Sequence, residues 1–181
     1  MKKLAFAFVM CLAAMSANAQ VLTSETVNNV YEEVSNKANG KFYYNAERSG
    51  NNITAMYVYQ NTGNGKDNVS LKPHRKYEYD YAADGTLKTR VTYCWNASNS
   101  KWERAALHAY TLDNNTYFAE YSRYNHKDEI FDQPIDKMVY KLHAKDSVNH
   151  VITYHRNDPS DPFRKISDTA VNEPFYLFAR K

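Results

Sequence analysis

Lys76-Tyr-Glu-Tyr-Asp-Tyr-Ala-Ala-Asp-Gly-Thr-Leu-Lys-Thr-Arg-Val-Thr-Tyr-Cys-Trp95 reads as two strands and the turn between them. Tyr77, Tyr79 and Tyr81 alternate with Lys76, Glu78 and Asp80. Leu87, Thr89, Val91, Tyr93 and Trp95 alternate with Lys88, Arg90 and Thr92. Period-two alternation belongs to strands, whose successive side chains point to opposite faces. Asp84-Gly85 tolerates the positive φ that a tight hairpin needs. The expectation is a hairpin with one buried side, with the charged residues, Arg90 among them, on the solvated side.

The pattern recurs. Lys41-Phe-Tyr-Tyr44, Leu107-His-Ala-Tyr110 and Lys137-Met-Val-Tyr140 open three further units, so the anchoring tyrosines 44, 79, 110 and 140 are 35, 31 and 30 residues apart. Each unit ends in a second aromatic strand: Tyr57-Val-Tyr59, Tyr93-Cys-Trp95, Tyr121-Ser-Arg-Tyr124 and Ile152-Thr-Tyr154. A fixed period marks a repeat architecture. The fold class expected is all-β: an antiparallel meander of about four repeated β-hairpins, built as a curved single sheet, a half-barrel or an open sandwich. Trp95 and Trp102 are seven apart across a polar loop, and so are Tyr124 and Phe131; each reads as a hairpin closed by a cross-strand aromatic pair.

Residues 24–39 carry Val27, Val30, Tyr31 and Val34 at helical spacing, with Ser24 as cap and Gly40 as terminator, and predict one short N-terminal helix. An edge strand near Val30–Val34 is the alternative. Ser49-Gly-Asn-Asn52, Asp113-Asn-Asn115 and Lys145-Asp-Ser-Val-Asn149 read as turns. Asn61 to Asp67 reads as a longer loop closed by Lys72-Pro73, and Asp158-Pro-Ser-Asp-Pro162 as a rigid bend. A last strand is expected from Phe175 to Arg180.

The ends and the composition bound the setting. Lys2 and Lys3, the apolar run Leu4 to Met15 and the small-residue site Ala17-Asn18-Ala19 predict a secretory signal peptide over 1–19, cleaved between Ala19 and Gln20. Cys11 follows the bulky Met10, which disfavours lipidation. The remaining 162 residues (181 − 19) suit a single β-repeat domain over 20–181. Its charge is near neutral, 21 Lys+Arg (23 − 2) against 20 Asp+Glu, so nothing points to nucleic acid or to an anionic membrane. No later run is long and apolar enough for a transmembrane segment. One cysteine, Cys94, remains, so no internal disulfide is expected. Within residues 20–181, sixteen tyrosines against seven leucines suit sheets with little core, or binding surfaces.

No catalytic pattern stands out by spacing. The six histidines, His74, His108, His126, His143, His150 and His155, form no zinc motif. There is no Gly-x-Ser-x-Gly elbow. Gly63-Asn-Gly65 lacks the rest of a nucleotide loop. No cofactor, metal or catalytic residue is therefore assigned. Asp80, Asp84, Glu103, Asp113 and Glu120 leave a carboxylate pair for glycan hydrolysis as the least supported reading.

The run Tyr77 to Leu142 resembles a family of small secreted proteins of Bacteroides and relatives, a domain of unknown function (family 3836). The likeness rests on Trp95-Asn-Ala-Ser98, Lys101-Trp102, Glu120-Tyr121 and Lys137-Met-Val-Tyr-Lys-Leu142. The hairpin at 76–88 also resembles the tyrosine-aspartate repeats of large secreted bacterial proteins. The resemblance implies an exported, β-rich protein, periplasmic or released, and no activity. It also implies O-glycosylation at Asp-Ser/Thr-small triplets, which makes Ser147 and Thr169 candidates.

Three functions compete. The first is a non-catalytic binding module for a glycan or an envelope or host protein, with Trp95, Trp102, Tyr121 and Tyr124 as candidate contacts. The same rings also serve core packing. The second is an assembly protein that pairs through sheet edges. The third is a glycan hydrolase.

Overall fold

Tyr77 stands opposite Thr92, Glu78 opposite Val91 and Tyr79 opposite Arg90. Residues paired across a ladder share a face. This register therefore puts the tyrosines of one strand and the rings of the next on opposite sides of the sheet. The structure, a computed structural model, describes residues 22–37, 40–63, 68–113, 116–141 and 149–171. Among them lie one helix, α1 (Ser24–Asn36), and ten strands: β1 (Phe42–Ser49), β2 (Asn52–Asn61), β3 (Leu71–Tyr81), β4 (Leu87–Asn96), β5 (Lys101–Asp113), β6 (Thr116–Asn125), β7 (Ile130–Phe131), β8 (Asp136–Lys141), β9 (Asn149–His155) and β10 (Arg164–Val171). All pair antiparallel in one open sheet, in the order β1-β2-β3-β4-β5-β6-β8-β9-β10, with β7 on the far end of β6.

The four repeats are the four hairpins β1–β2, β3–β4, β5–β6 and β8–β9. Of the three architectures expected, the single open sheet is the one present. Trp95 pairs with Trp102, and Tyr124 with Phe131, as the spacing predicts. β7 and β8 act as one interrupted partner of β6. Between them, Asp132 N–H donates to the Arg123 carbonyl and Ile135 N–H to the Tyr121 carbonyl. Pro134 has no N–H to give, so the ladder breaks there.

One face is covered by α1. Thr23, one residue before the expected Ser24, caps the helix; its hydroxyl accepts from Thr26 N–H, and Thr26 Oγ1 accepts from Thr23 N–H. Val27 and Val30 are the buried positions of α1. The helix lies against β1 and β2, and Val27 joins Leu22 in one core cluster with Ile53, Tyr79 and Leu87, of which Ile53 and Leu87 are fully buried. The core continues under Tyr79, Tyr117 and Tyr140. All four anchoring tyrosines belong to it: Tyr79 and Tyr140 are buried, and Tyr44 and Tyr110 pack against them. The repeat period is thus the spacing at which each hairpin delivers one ring to the helix side. Leu22 ties the chain before α1 across this face. Its carbonyl accepts from Leu87 N–H at 2.8 Å, and its own N–H donates to the Tyr117 hydroxyl at 3.2 Å.

Three expectations need correction. The β3–β4 hairpin does not have a single buried side. A bulge at Lys88 (Asp80 pairs Thr89, Tyr81 pairs Leu87) moves Leu87 onto the helix face with Arg90, while Thr89, Val91, Tyr93 and Trp95 line the outer face. A one-residue bulge inverts the alternation on one side of itself, and Arg90 ends 1% exposed rather than solvated. Lys72-Pro73 is not loop but lies inside β3. Residues 164–171, between the bend at 158–162 and the strand expected at 175–180, carry no expected element but form the edge strand β10 against β9. The strand expected at Phe175–Arg180 and the signal segment lie outside the described residues, as do residues 145–148 of the turn expected at 145–149, whose last residue, Asn149, opens β9.

Leu87 is fully buried and Leu112 is 51% exposed. Leu87→Ala is expected to cost about 2–5 kcal/mol and Leu112→Ala under about 0.5 kcal/mol. Urea unfolding with unchanged m-values checks the contrast; equal losses would contradict the core described.

Candidate functional site

α1 lies along β1 and β2 and leaves the opposite end of the same face open. There the sheet forms a groove of about 460 Å³. β1 gives Phe42 and Tyr44, β3 gives His74, Arg75 and Tyr77, β4 gives Arg90, Thr92 and Cys94, and Ala105, Ala106, His108 and Tyr121 close the far wall. Volumes of roughly 300–1,000 Å³ suit small-molecule sites.

Two bulges shape the groove. His74 is skipped between the pairs Val58–Arg75 and Tyr59–Pro73, next to a proline that cannot serve the ladder. Ala105 is skipped between Thr92–Ala106 and Tyr93–Arg104. A bulge bends its strand and re-aims side chains, and both bulged residues line the groove. The small Ala105 and Ala106 leave the space that larger side chains would fill.

Arg90 forms the floor. Its guanidinium carbon lies 5.6 Å from the Tyr77 ring centre and its Nη2 lies 3.0 Å from His108 Nδ1. Burial, and then the Arg90 charge, push the His108 pKa well below the usual histidine range. His108 is therefore neutral at neutral pH and accepts from Arg90. Burial and the neighbouring Arg75 likewise lower His74. Arg75 donates from Nη1 to Cys94 Sγ at 2.9 Å and to the His74 carbonyl at 3.4 Å. The groove thus holds two arginines and neutral histidines, and no carboxylate lines it.

The outer face is organised differently. Lys76 Nζ lies 5.6 Å from the Tyr57 ring centre, 4.9 Å from that of Tyr93 and 2.6 Å from Glu78 Oε1. The Tyr93 hydroxyl donates to the same carboxylate. Burial raises the Glu78 pKa, but Lys76 and Tyr93 outweigh it and hold the group below the usual range. The Trp102 ring lies 6.1 Å from that of Tyr57, tilted by 58°, although three ladders separate their strands. The rings therefore lean together over Lys76, which keeps only 17% of its side chain exposed. Trp95 meets Trp102 edge-on at 5.1 Å. Tyr124 sits at 5.2 Å from Phe131 and under Arg104 at 5.9 Å.

The four aromatics nominated from the sequence are thus divided. Trp95, Trp102 and Tyr124 belong to the outer face, packed against one another or their neighbours. Tyr121 is on the helix face, 5.1 Å from His108, and lines the groove. Arg75 and Arg90 were missed. The signal available was Pro73 inside an alternating strand, which marks a bulge. Thr169 is exposed on β10, beside Asp168, which binds His150 and Lys165. Ser147 lies outside the described residues. No group of three His, Cys, Asp or Glu side chains among the described residues is arranged to hold a metal ion.

An open antiparallel meander of hairpins with one capping helix defines the class of this protein. The sequence matches the family of unknown function DUF3836 over residues 1–142, and the chain belongs to that family. It is similar to a protein with unknown function from Bacteroides fragilis NCTC 9343, 21% identical, with a TM-score of 0.62 over 75% of this chain and 96% of that one. It is also similar to DUF3836 family proteins from Bacteroides vulgatus ATCC 8482 (23% identical, TM-score 0.46, 50% of this chain and 88% of that one) and Parabacteroides distasonis ATCC 8503 (19%, 0.48, 54% and 87%). The first of these shows the shared fold. No curated protein matches the chain.

Two outcomes follow from the electrostatics. A histidine whose folded pKa is lowered stabilises the fold above its unfolded pKa, and that contribution is lost as pH falls towards the folded pKa. Stability is expected to drop by about 1 kcal/mol per pH unit below about 6.5 on account of His108, and His108→Gln is expected to flatten this limb. Urea midpoints between pH 7 and 5 measure it; an unchanged slope in the variant would contradict the buried neutral imidazole. On the outer face, Lys76→Met is expected to cost about 1–2 kcal/mol, and Lys88→Met, whose pair with Asp80 is exposed, under about 1 kcal/mol. Thermal unfolding of both variants compares them.

Proposed function

We propose that this chain is an exported, non-catalytic binding module that seats a glycan in the groove beside α1. One observation carries the reading: aromatic rings, hydroxyls and arginine side chains converge in a concavity lined by the bulged residues of β3 and β5. Flat rings suit the faces of sugar rings, and Tyr44, Thr92 and Tyr121 bring hydroxyls to the same walls. Trp95 and Trp102 are then structural, because each ring is spent on the other. Residues 1–19 act as the export signal, which places the module in the periplasm or outside the cell.

The groove spans β1 to β6 and meets the edge strand only at Phe42 and Tyr44; along β2 to β5 the ladders on both sides already occupy the backbone. An extended peptide needs an unpaired strand edge for main-chain bonds. The wall therefore favours a ligand recognised by side chains.

The test is thermal unfolding with a panel of dietary and host glycans, read together with alkylation of Cys94. A ligand at 100 times its Kd is expected to add about 2.7 kcal/mol of stability. Mass spectrometry of the Cys94 peptide is expected to show slowed alkylation with the same glycan, and Tyr121→Ala to weaken both effects. Stabilisation with Cys94 equally reactive would move the site elsewhere. No stabilisation by any glycan would leave the open edges β1 and β10, and hence a protein partner, as the better reading.

A further inference from the structure

The two faces of the sheet treat charge in opposite ways. On the outer face each lysine near the hairpin axes has a carboxylate: Lys76 with Glu78 at 2.6 Å, Lys88 with Asp80 at 3.3 Å and Lys137 with Glu120 at 3.1 Å. A shallow depression on that side, about 390 Å³, is lined by Glu47, Glu78 and Asp80. The groove on the helix face has the reverse composition. Two arginines line it, with no aspartate or glutamate.

The flanking acids are engaged elsewhere. Glu103 pairs with Cys94 in the register, but its Oε1 accepts from Asn96 at 2.7 Å and Asn99 at 3.0 Å. Asp136 pairs with Tyr121, but its Oδ1 lies 2.6 Å from His155 Nδ1. Arg75 has no carboxylate partner among the described residues; it donates to a sulfur and a carbonyl. A thiol is a weak acceptor for a guanidinium fork that matches a carboxylate in two parallel bonds. In a chain with near-balanced charge, this segregation is a property of the site rather than of the composition.

From this charge complementarity we infer that the groove selects acidic glycans, with Arg75 binding the carboxylate of a uronic or sialic acid residue while Tyr44, Tyr77 and Tyr121 hold the rings. The inference rests on the binding reading above and names its ligand class. Arg90 lies under Tyr77 and holds that ring in the floor. The neutral state of His74 and His108 leaves Arg75 as the charge a ligand meets.

The experiment is calorimetric titration of the protein with galacturonate, glucuronate and sialate oligosaccharides, each against its own methyl ester. An acidic peptide of glutamates is the third arm. At least one acid is expected to bind about tenfold or more tightly than its ester, the worth of one charge-assisted bond. Arg75→Gln is expected to erase that ratio while ester binding persists, and Arg75→Lys to keep part of it, since lysine retains the charge but not the fork. Circular dichroism confirms that both variants fold. Acid and ester binding alike, with Cys94 protected by both, would overturn the acidic preference and leave the glycan groove standing. Binding of the acidic peptide alone, or of no glycan, would overturn both.

Discussion

The register between β3 and β4 is the constraint on which the rest of the structure depends. A five-residue connection around Asp84-Gly85 and the bulge at Lys88 set Tyr77 against Thr92 and Tyr79 against Arg90. A slip of one residue would exchange the faces of every side chain beyond it. In the observed register, the β3 tyrosines and Leu87 lie on the face that α1 covers in part, while Tyr93 and Trp95 join the outer aromatic layer. The turn is itself braced: Ser24 N–H donates to the Gly85 carbonyl, and Leu22 pairs with Leu87. The helix and the register therefore hold each other in place.

This arrangement explains the tyrosine excess. A single sheet capped by one helix has two broad faces and little enclosed volume, so few side chains are buried on all sides. Tyrosine covers apolar surface with its ring and keeps a polar end at the rim. The outer face uses its rings around a lysine, and that cation is neutralised by Glu78. The helix face uses its rings twice, as core under α1 and as walls of the groove where α1 ends.

Much of this was legible in the sequence. Tyrosine spacing located the four hairpins, and rings seven residues apart located two cross-strand pairs, because these signals are local. The helix was legible from Val27 and Val30. Which face each stripe occupies was not, since the bulges at His74, Lys88 and Ala105 decide it, and each is a one-residue event with a weak local signal. Arg90 therefore read as solvated when it is the floor of a groove. β10 carries little apolar alternation, because an edge strand needs none, and so it gave no strand signal. The nominated aromatics were real clusters, but a list of rings holds no information about which share a face; only Tyr121 lies where a ligand has room.

The claim that joins these points is that the helix face binds and the outer face packs. Ring-selective NMR of the protein with a bound glycan, using labelled tyrosine and tryptophan, tests it most directly. The account predicts that Tyr44, Tyr77 and Tyr121 shift on saturation while the Trp95 and Trp102 indoles stay where they are. Shifts confined to the two indoles, with the groove tyrosines unmoved, would contradict it.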